Sequence, residues 1–418
     1  MNKNFLKKLF SIKREKDHTV IQVFFFKIKT TLRLFTSLFC LLVNKFCKVK
    51  KNKIVIVNVR GFEYTCNPKY IAEEFAKRNI DKLDLVWMIG PKTDKSLIPK
   101  NFRLVRYHSL KALYELQTAK IIIANAHMIN VHKKGFRKSS DTIYIQTWHG
   151  SMGIKKIDKD APHVSEKFGW CKWEQISSAC FDYFFVDSES EKQIYESAFW
   201  GHGEVLKLGK ARDRIFYEDH KPIIEKVKNY YSIPMNNKIC LYAPTWRPDG
   251  RCHCFNLDIN ALKAGLKEKF GGEWSILIRF HRISSSKKGQ KIFETLYDKN
   301  EVINVTQYLD MQELFVAADV LISDYSSCLP EYCILKKKSF IYATDIESYE
   351  PGFYFPLSDL PSPIAKNNYE LISNILNFNE KEYNKKCNQF LIDKGHNDDE
   401  KSCERIVDFM LDKIELKP

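Results

Sequence analysis

Two histidines directly follow apolar stretches of the sequence and could carry out proton transfer. His149 follows TIYIQTW, and His281 follows WSILIRF. Such stretches predict parallel strands, whose carboxyl ends face one crevice in an open α/β sheet. A neutral imidazole can take a proton from a hydroxyl, and an imidazolium can donate one to a phosphate oxygen or a leaving group. Either histidine could be structural, but two at strand ends in different parts of the chain favour a chemical role.

The segment SDYSS, residues 323–327, lies where an apolar stretch gives way to the predicted helix CLPEYCIL. A helix N-terminus offers unpaired N–H groups and a positive dipole end, and hydroxyls beside it add donors, so this segment could bind phosphate. Asp324 or Ser326 could equally cap the helix. Arg247 and Arg279 follow two further predicted strands, and guanidinium groups bind phosphates through paired hydrogen bonds. The pattern therefore favours a phosphate-containing ligand while leaving the capping interpretation open.

These residues need a scaffold of strands, and the sequence supplies two series of them. The first contains KIVIVNV, LDLVWMIG, KIIIANA and TIYIQTW, and the second starts at MNNKICLYAPTW and continues to KSFIYATD. Short β-branched stretches separated by amphipathic ones predict buried parallel strands with helices between them. We therefore predict an α/β fold of two doubly wound, Rossmann-like domains that face a cleft. The break NYYSIPMNN places the boundary between domains at 54–232 and 233–418.

Residues 1–53 differ from the rest of the chain. The stretch from Val20 to Val43 is apolar and long enough to span a bilayer, but Lys27, Lys29 and Arg33 interrupt it. On a helical wheel its aromatic and aliphatic residues gather on one face and its basic and polar residues on the other. This pattern predicts an amphipathic helix on an anionic membrane surface. The alternatives are a helix packed on the protein's own core and a true membrane span.

Composition limits the classes of partner. The formal net charge is +16, which favours an anionic partner: nucleic acid, an anionic membrane or a phosphate-rich substrate. No aromatic-basic motif typical of nucleic-acid binding accompanies this charge, so we expect no nucleic acid.

The 12 cysteines are scattered, which predicts reduced thiols in the cytoplasm. The spacing of Cys252, His253 and Cys254 is too tight for an ordinary zinc site, and we expect no metal or cofactor.

Several motifs together resemble those of a known family, the CDP-glycerol glycerophosphotransferases, which include teichoic acid primases and polymerases. The similar segments are QTWHGSMGIKK, YAPTWR, LISDYSSCLPEY, GFYF and SCERIVDFML. They occur in the family's order, and the resemblance covers roughly residues 54–414. It implies a GT-B type fold and transfer of an alditol phosphate, most often glycerol phosphate, from a CDP-linked donor. The acceptor would be a hydroxyl of a lipid-linked or polymeric cell-surface glycan at the cytoplasmic face of the membrane, and CMP would leave.

The resemblance also implies roles for individual residues. His149 would be the base that activates the acceptor hydroxyl, and His281 would steady the pyrophosphate. The residues expected to bind the donor are Thr245, Arg247, Arg279, Asp324, Ser326, Ser327 and Glu331. The residues expected on the acceptor side are Gly150, Ser151 and Lys155.

The sequence departs from the family pattern at a few positions. Arg282 stands where proline is usual, Ala211 replaces a proline, Arg214 replaces an aspartate and Glu331 replaces another. These changes leave the identity of the alditol open and weaken the prediction of a polymerase. The alternative enzyme is a GT-B glycosyltransferase that uses a nucleotide sugar for surface polysaccharide synthesis.

Overall fold

The computed structural model describes most of the 418-residue chain. The described residues are 10–14, 19–23, 26–30, 32–58, 62–161, 166, 169, 171–245, 247, 256–280, 297–298, 301–349 and 352–414. Two parallel sheets carry the fold, and their strands are the apolar stretches identified in the sequence. The α/β prediction is therefore confirmed.

The first sheet has seven strands, all parallel, in the order β10-β9-β8-β7-β4-β5-β6. Its inner strands are buried along nearly their whole length because helices cover both faces, which explains their β-branched composition. The strands are β4 Lys50–Val57, β5 Asp84–Ile89, β6 Arg103–Arg106, β7 Ala119–Ala124, β8 Ile143–Gln146, β9 Tyr183–Phe185 and β10 Glu204–Leu206.

The second sheet has six parallel strands in the order β13-β12-β11-β14-β15-β16. In both sheets the strand order reverses beside the first strand of the series, which creates the crevice where α/β folds bind ligands. The strands are β11 Lys238–Tyr242, β12 Trp274–Ile278, β13 Val302–Asn304, β14 Val320–Ser323, β15 Lys338–Tyr342 and β16 Ile364–Ala365.

Helices connect these strands and pack on the sheets. Within the described residues, the α-helices are α1 Leu32–Phe46, α2 Cys66–Arg78, α3 Leu110–Gln117, α4 Ile129–Lys133, α5 Cys171–Ser178, α6 Glu189–Ala198, α7 Lys221–Tyr230, α8 Ile259–Phe270, α9 Met311–Ala317, α10 Cys328–Ile334, α11 Asn368–Leu376, α12 Glu380–Asp393 and α13 Ser402–Lys413. A 3₁₀ helix, Ala211–Tyr217, joins β10 to α7.

The N-terminal segment corrects the prediction of one helix over residues 20–43. Strands Phe10–Arg14 (β1), Thr19–Val23 (β2) and Phe26–Thr30 (β3) form an antiparallel sheet, and the helix begins only at Leu32. A stretch rich in β-branched and aromatic residues suits a strand as well as a helix, and here strand pairing decides between them. Among the described residues, no helix combines the length and the hydrophobicity needed to cross a bilayer.

Helix α1 packs on the protein through its small and polar residues. Thr36, Cys40 and Val43 are buried, and Gln117 Nε2 donates a hydrogen bond to the Cys40 carbonyl at 3.0 Å. Thr36 and Cys40 of the predicted polar face therefore lie inward, whereas Arg33 and Asn44 of that face are exposed. Large apolar side chains lie outward instead: Leu34, Leu38, Leu41, Leu42 and Phe46.

The C-terminal helix α13 lies against the first half of the molecule. Phe409 meets Tyr183 of β9 edge-on at 4.9 Å between ring centroids, and Arg78 of α2 donates to the Glu404 carbonyl at 3.1 Å. The sequence assigned this helix to the second domain by its position in the chain. The domain boundaries at 54–232 and 233–418 stay a prediction.

Candidate functional site

The loop after β8 and the turn after β14 lie beside each other although they belong to different sheets. A Cβ atom added to Gly150 would lie 3.1 Å from the hydroxyl oxygen of Ser327. Such a contact is tighter than ordinary packing, so a glycine at this position lets the two segments approach. The WHG and DYSS motifs are thus neighbours, as the crevice prediction requires.

His149 is held at its ring and at its backbone. Its Nδ1 lies 2.7 Å from the carbonyl oxygen of Asn125. A carbonyl only accepts hydrogen bonds, so Nδ1 carries the hydrogen and Nε2 carries the lone pair in the neutral ring. The ring stacks on Trp148 at 4.6 Å, and Arg212 Nη1 donates to the His149 carbonyl at 2.8 Å. This arrangement suits a general base whose basic nitrogen is set by a backbone contact.

The second histidine, His281, lies outside the described residues, so its predicted role stays a prediction. Arg279, two positions earlier, directly follows β12. Its Nη1 donates to the carbonyl oxygens of Tyr308 at 2.7 Å and Val305 at 3.3 Å. Arg279 therefore holds the loop that follows β13, at the same edge of the second sheet.

Arg247 forms a buried network with two carboxylates. Its Nε and Nη2 donate to Asp345 at 2.7 and 2.8 Å, and Nη2 also donates to Asp324 Oδ2 at 2.9 Å. Burial alone would raise the pKa of Asp345, but the hydrogen bonds from Arg247 hold that pKa below its usual value. Asp324 Oδ1 accepts the Thr245 N–H at 2.8 Å, so the network fastens the APTWR loop to the DYSS turn. In this geometry Arg247 and Asp324 position the loop, and their predicted phosphate contacts stay untested.

Three hydroxyls of the predicted donor site have different surroundings. Ser326 Oγ accepts the N–H of Cys328, the first residue of α10, at 3.3 Å. Ser327 occupies the N-cap position of α10 without a side-chain capping bond. Thr245 Oγ1 is buried and has no hydrogen-bond partner among the described residues. A buried hydroxyl of this kind costs free energy unless a ligand pairs with it, so Thr245 is the strongest candidate for a donor contact.

Glu331 bridges the two halves of the molecule. Its Oε1 accepts hydrogen bonds from Arg212 Nη2 and, at 3.1 Å, from the Ser151 N–H. Its Oε2 accepts from Gln312 Nε2 at 3.1 Å. The side chain is buried. Glu331 therefore forms an ion pair with Arg212 of the first half. Its predicted contact with a donor's ribose or alditol stays a prediction.

The residues predicted on the acceptor side divide between buried and accessible positions. Ser151 is buried, and its hydroxyl donates to Asp187. Lys155 is half-buried and pairs with Phe353 in an isolated antiparallel bridge. The Tyr354 N–H donates to the Ile154 carbonyl at 2.8 Å beside that bridge. The GFYF motif therefore clamps the loop that follows His149 to the second half.

Sequence reasoning missed two residues that set the geometry around His149. Asn125 directly follows β7 and orients the imidazole, and Arg212 joins the His149 backbone to Glu331. Arg212 lies between Ala211 and Arg214, two positions that depart from the family pattern, and this was a signal for Arg212. Asn125 contributes through its backbone carbonyl, so its residue type gave no signal.

The chain is similar in sequence to a known protein family. The profile of the CDP-Glycerol:Poly(glycerophosphate) glycerophosphotransferase family matches residues 38–412. This chain belongs to that family. The resemblance found in the motifs is confirmed over nearly the same range.

Two relatives and one solved structure are similar to this chain over most of its length. The teichoic acid poly(glycerol phosphate) polymerase of Staphylococcus epidermidis is 28% identical over 374 residues, which cover 84% of this chain and 49% of that protein. The teichoic acid glycerol-phosphate transferase of Staphylococcus aureus is 27% identical over 346 residues, or 79% of this chain and 85% of that protein. A structure of the wall teichoic acid polymerase TagF with CDPG has a TM-score of 0.76 at 26% identity and covers 92% of this chain and 94% of that one. The chain spans about half the length of the first of these relatives.

Proposed function

We propose that this protein transfers an alditol phosphate, in the first instance glycerol phosphate, from a CDP-linked donor to a hydroxyl of a lipid-linked or polymeric cell-surface glycan. The product would belong to a teichoic acid or a capsule-type polymer. Membership of the family supports this proposal. The observation that carries it is the hydrogen bond from His149 Nδ1 to the Asn125 carbonyl, because it leaves Nε2 as the basic nitrogen at a strand end.

The proposed reaction is a displacement at phosphorus. The acceptor oxygen attacks the β-phosphorus of the donor while His149 Nε2 takes the hydroxyl proton. A new P–O bond forms to the acceptor, and the bond to the bridging oxygen breaks, so that CMP leaves with that oxygen. The Thr245 and Ser327 hydroxyls are proposed to donate to the donor phosphates, whose charge must be balanced during transfer. His281 is proposed to steady the pyrophosphate.

The donor is tested by thermal unfolding with CDP-glycerol, CDP-ribitol, CMP, UDP-glucose and GDP-mannose. Selective stabilisation by CMP and the CDP-alditols supports the proposal, and the more effective alditol identifies the donor. Stabilisation by the UDP or GDP sugar alone would favour the nucleotide-sugar glycosyltransferase instead.

The role of His149 is tested by His149→Ala. We expect at least about a 100-fold loss of transfer rate with unchanged CMP affinity and thermal stability. His202 is exposed, and His202→Ala serves as the control with unchanged rate. A His149→Ala protein that loses stability in proportion to its activity would make His149 a packing residue.

We further propose that helix α1 attaches the protein to the cytoplasmic membrane surface, where a lipid-linked acceptor would be found. The outward leucines support this, together with the exposed Lys45, Lys48 and Lys51 that follow them. Arg33 lies over the ring of Trp173 at 5.3 Å, and that contact adds an aromatic residue beside the helix. Apolar side chains flanked by lysines are typical of helices that lie in the interface of an anionic membrane.

A further inference from the structure

Three aspartates from distant parts of the chain meet beneath the loop that carries His149. Asp187 follows β9, Asp213 lies in the 3₁₀ helix after β10, and Asp398 precedes α13. One carboxylate oxygen from each lies within 4.8 Å of the others. The side chains of Asp213 and Asp398 are completely shielded from solvent, and Asp187 is fully buried.

Asp213 lacks the partners that a buried carboxylate requires. Neither of its oxygens has a hydrogen-bond partner among the described residues, and the same is true of Asp187 Oδ1. The nearest ion-pair contact of Asp213 is Arg212 Nε at 3.7 Å, which is beyond hydrogen-bond length. A buried carboxylate without partners is strongly unfavourable when ionised, so such a group is either protonated or paired with a cation.

The cationic side chains nearby make their hydrogen bonds to other groups. Arg212 Nε has no hydrogen-bond partner among the described residues and lies 3.7 Å from Asp213. Arg405 Nη2 lies 3.7 Å from Asp398. Lys210 Nζ lies 2.9 Å from Glu191 and donates to the carbonyl of Phe185 at 3.1 Å. Arg212 pairs with Glu331 through Nη2 and with the His149 carbonyl through Nη1.

Burial, reinforced by Glu331, raises the pKa of Asp213 well above its usual range. Burial beside Asp187 raises the pKa of Asp398 to about 7.

We propose that Asp187, Asp213 and Asp398 bind a hard divalent cation of the Mg²⁺, Mn²⁺ or Ca²⁺ class. The candidate ligands are all carboxylate oxygens, which these ions prefer over the nitrogen and sulfur ligands of zinc. Metal–oxygen bonds in this class run from about 2.0 to 2.6 Å, so one ion can contact oxygens that lie up to about 5.2 Å apart. The carboxylate oxygens here lie within 4.8 Å of one another.

The cation has a structural role. Ser151, two residues beyond His149, donates to Asp187, and Asp398 Oδ2 accepts the Lys210 N–H at 2.8 Å. An ion among the three aspartates therefore fastens the His149 loop and the C-terminal segment to the first sheet. The inference rests on these three carboxylates and not on the proposed transfer activity.

The test uses the full chain, purified with EDTA and then desalted. Its thermal unfolding is measured without metal and with 1 mM Mg²⁺, Mn²⁺ or Ca²⁺, and bound metal is measured by plasma mass spectrometry after dialysis. We expect about one ion per chain and a rise in Tm of at least about 2 °C with the preferred ion. The size of the shift in the three arms ranks the ions.

Asp213→Asn separates a metal ion from a protonated carboxyl cluster. If a cation binds, this variant loses the metal-dependent shift and the bound ion, while Asp141→Asn, a change at an exposed aspartate, keeps both. A wild-type chain without bound metal and without a metal-dependent shift would overturn the proposal. That outcome does not depend on whether Asp213→Asn folds.

Discussion

Two buried threonine hydroxyls differ in whether they have a hydrogen-bond partner within the protein. Thr142 Oγ1 donates to the Ala119 carbonyl at 2.7 Å within the first sheet. Thr245 lies in the loop after β11, and its Oγ1 is buried and has no hydrogen-bond partner among the described residues. A buried hydroxyl that is already paired contributes to stability, whereas an unpaired one gains its partner on binding. The two positions therefore predict opposite consequences for the same substitution.

Thr245→Val is expected to weaken binding of the CDP-linked donor by about tenfold while leaving the free energy of unfolding nearly unchanged. Thr142→Val should instead lower the free energy of unfolding by about 1–2 kcal/mol without changing donor affinity. Calorimetric titration with the donor and urea unfolding measure the two quantities. Equal donor affinity for Thr245→Val and the wild type would remove Thr245 from the donor site.

Helix α1 is the element whose orientation the sequence predicted least well. Its small residues face the protein, since Gly135 of the loop after α4 approaches Ser37 so closely that a Cβ on this glycine would collide with the serine. Leucines therefore face outward, where water disfavours a contiguous apolar surface. A lipid surface would cover them and contribute apolar burial.

Replacing Leu34, Leu38 and Leu41 together by glutamine is expected to reduce binding to vesicles of anionic phospholipid by at least about tenfold, because each leucine loses its apolar burial. Sedimentation of the protein with vesicles measures the bound fraction. Leu97 is an exposed leucine in another part of the molecule, and Leu97→Gln is the matched control with unchanged binding. Undiminished binding of the triple variant would show that α1 does not contact the membrane.

At the scale of the whole molecule, buried ion pairs join the two halves. Arg212 pairs with Glu331, and Lys69 of α2 pairs with Asp310 at 2.7 Å beside α9. The desolvation of such pairs is costly, and removing one partner leaves an uncompensated buried charge. These contacts set the relative position of the WHG loop and the DYSS turn.

Arg212→Met and Glu331→Leu are each expected to lower the free energy of unfolding by about 3 kcal/mol or more, and the double variant by clearly less than the sum. Urea unfolding of the four proteins gives the coupling energy. Lys366 and Glu347 form an exposed pair at 2.8 Å, and the same cycle there should show little coupling because water screens it. Additive effects at Arg212 and Glu331 would mean that the pair does not join the halves.

Much of the fold followed from local pattern. The β-branched stretches became strands β4, β7 and β8, and the WHG and DYSS motifs follow β8 and β14, where parallel strands end. The helix predicted across residues 20–43 failed in its first part, because a short apolar stretch satisfies both strand and helix periodicity. Only pairing with other strands decides such a case.

The sequence by itself determined the kinds of element, their order and the polar residues at the strand ends, because periodicity and turn residues act over a few neighbouring positions. Only the tertiary structure decided which charges meet. Arg212 and Glu331 are 119 positions apart, and Arg247 and Asp345 are 98 apart. The three aspartates share no motif, so the sequence predicted no metal, and the fold alone brings them together. Long-range pairing depends on how helices and sheets pack, which no local pattern records.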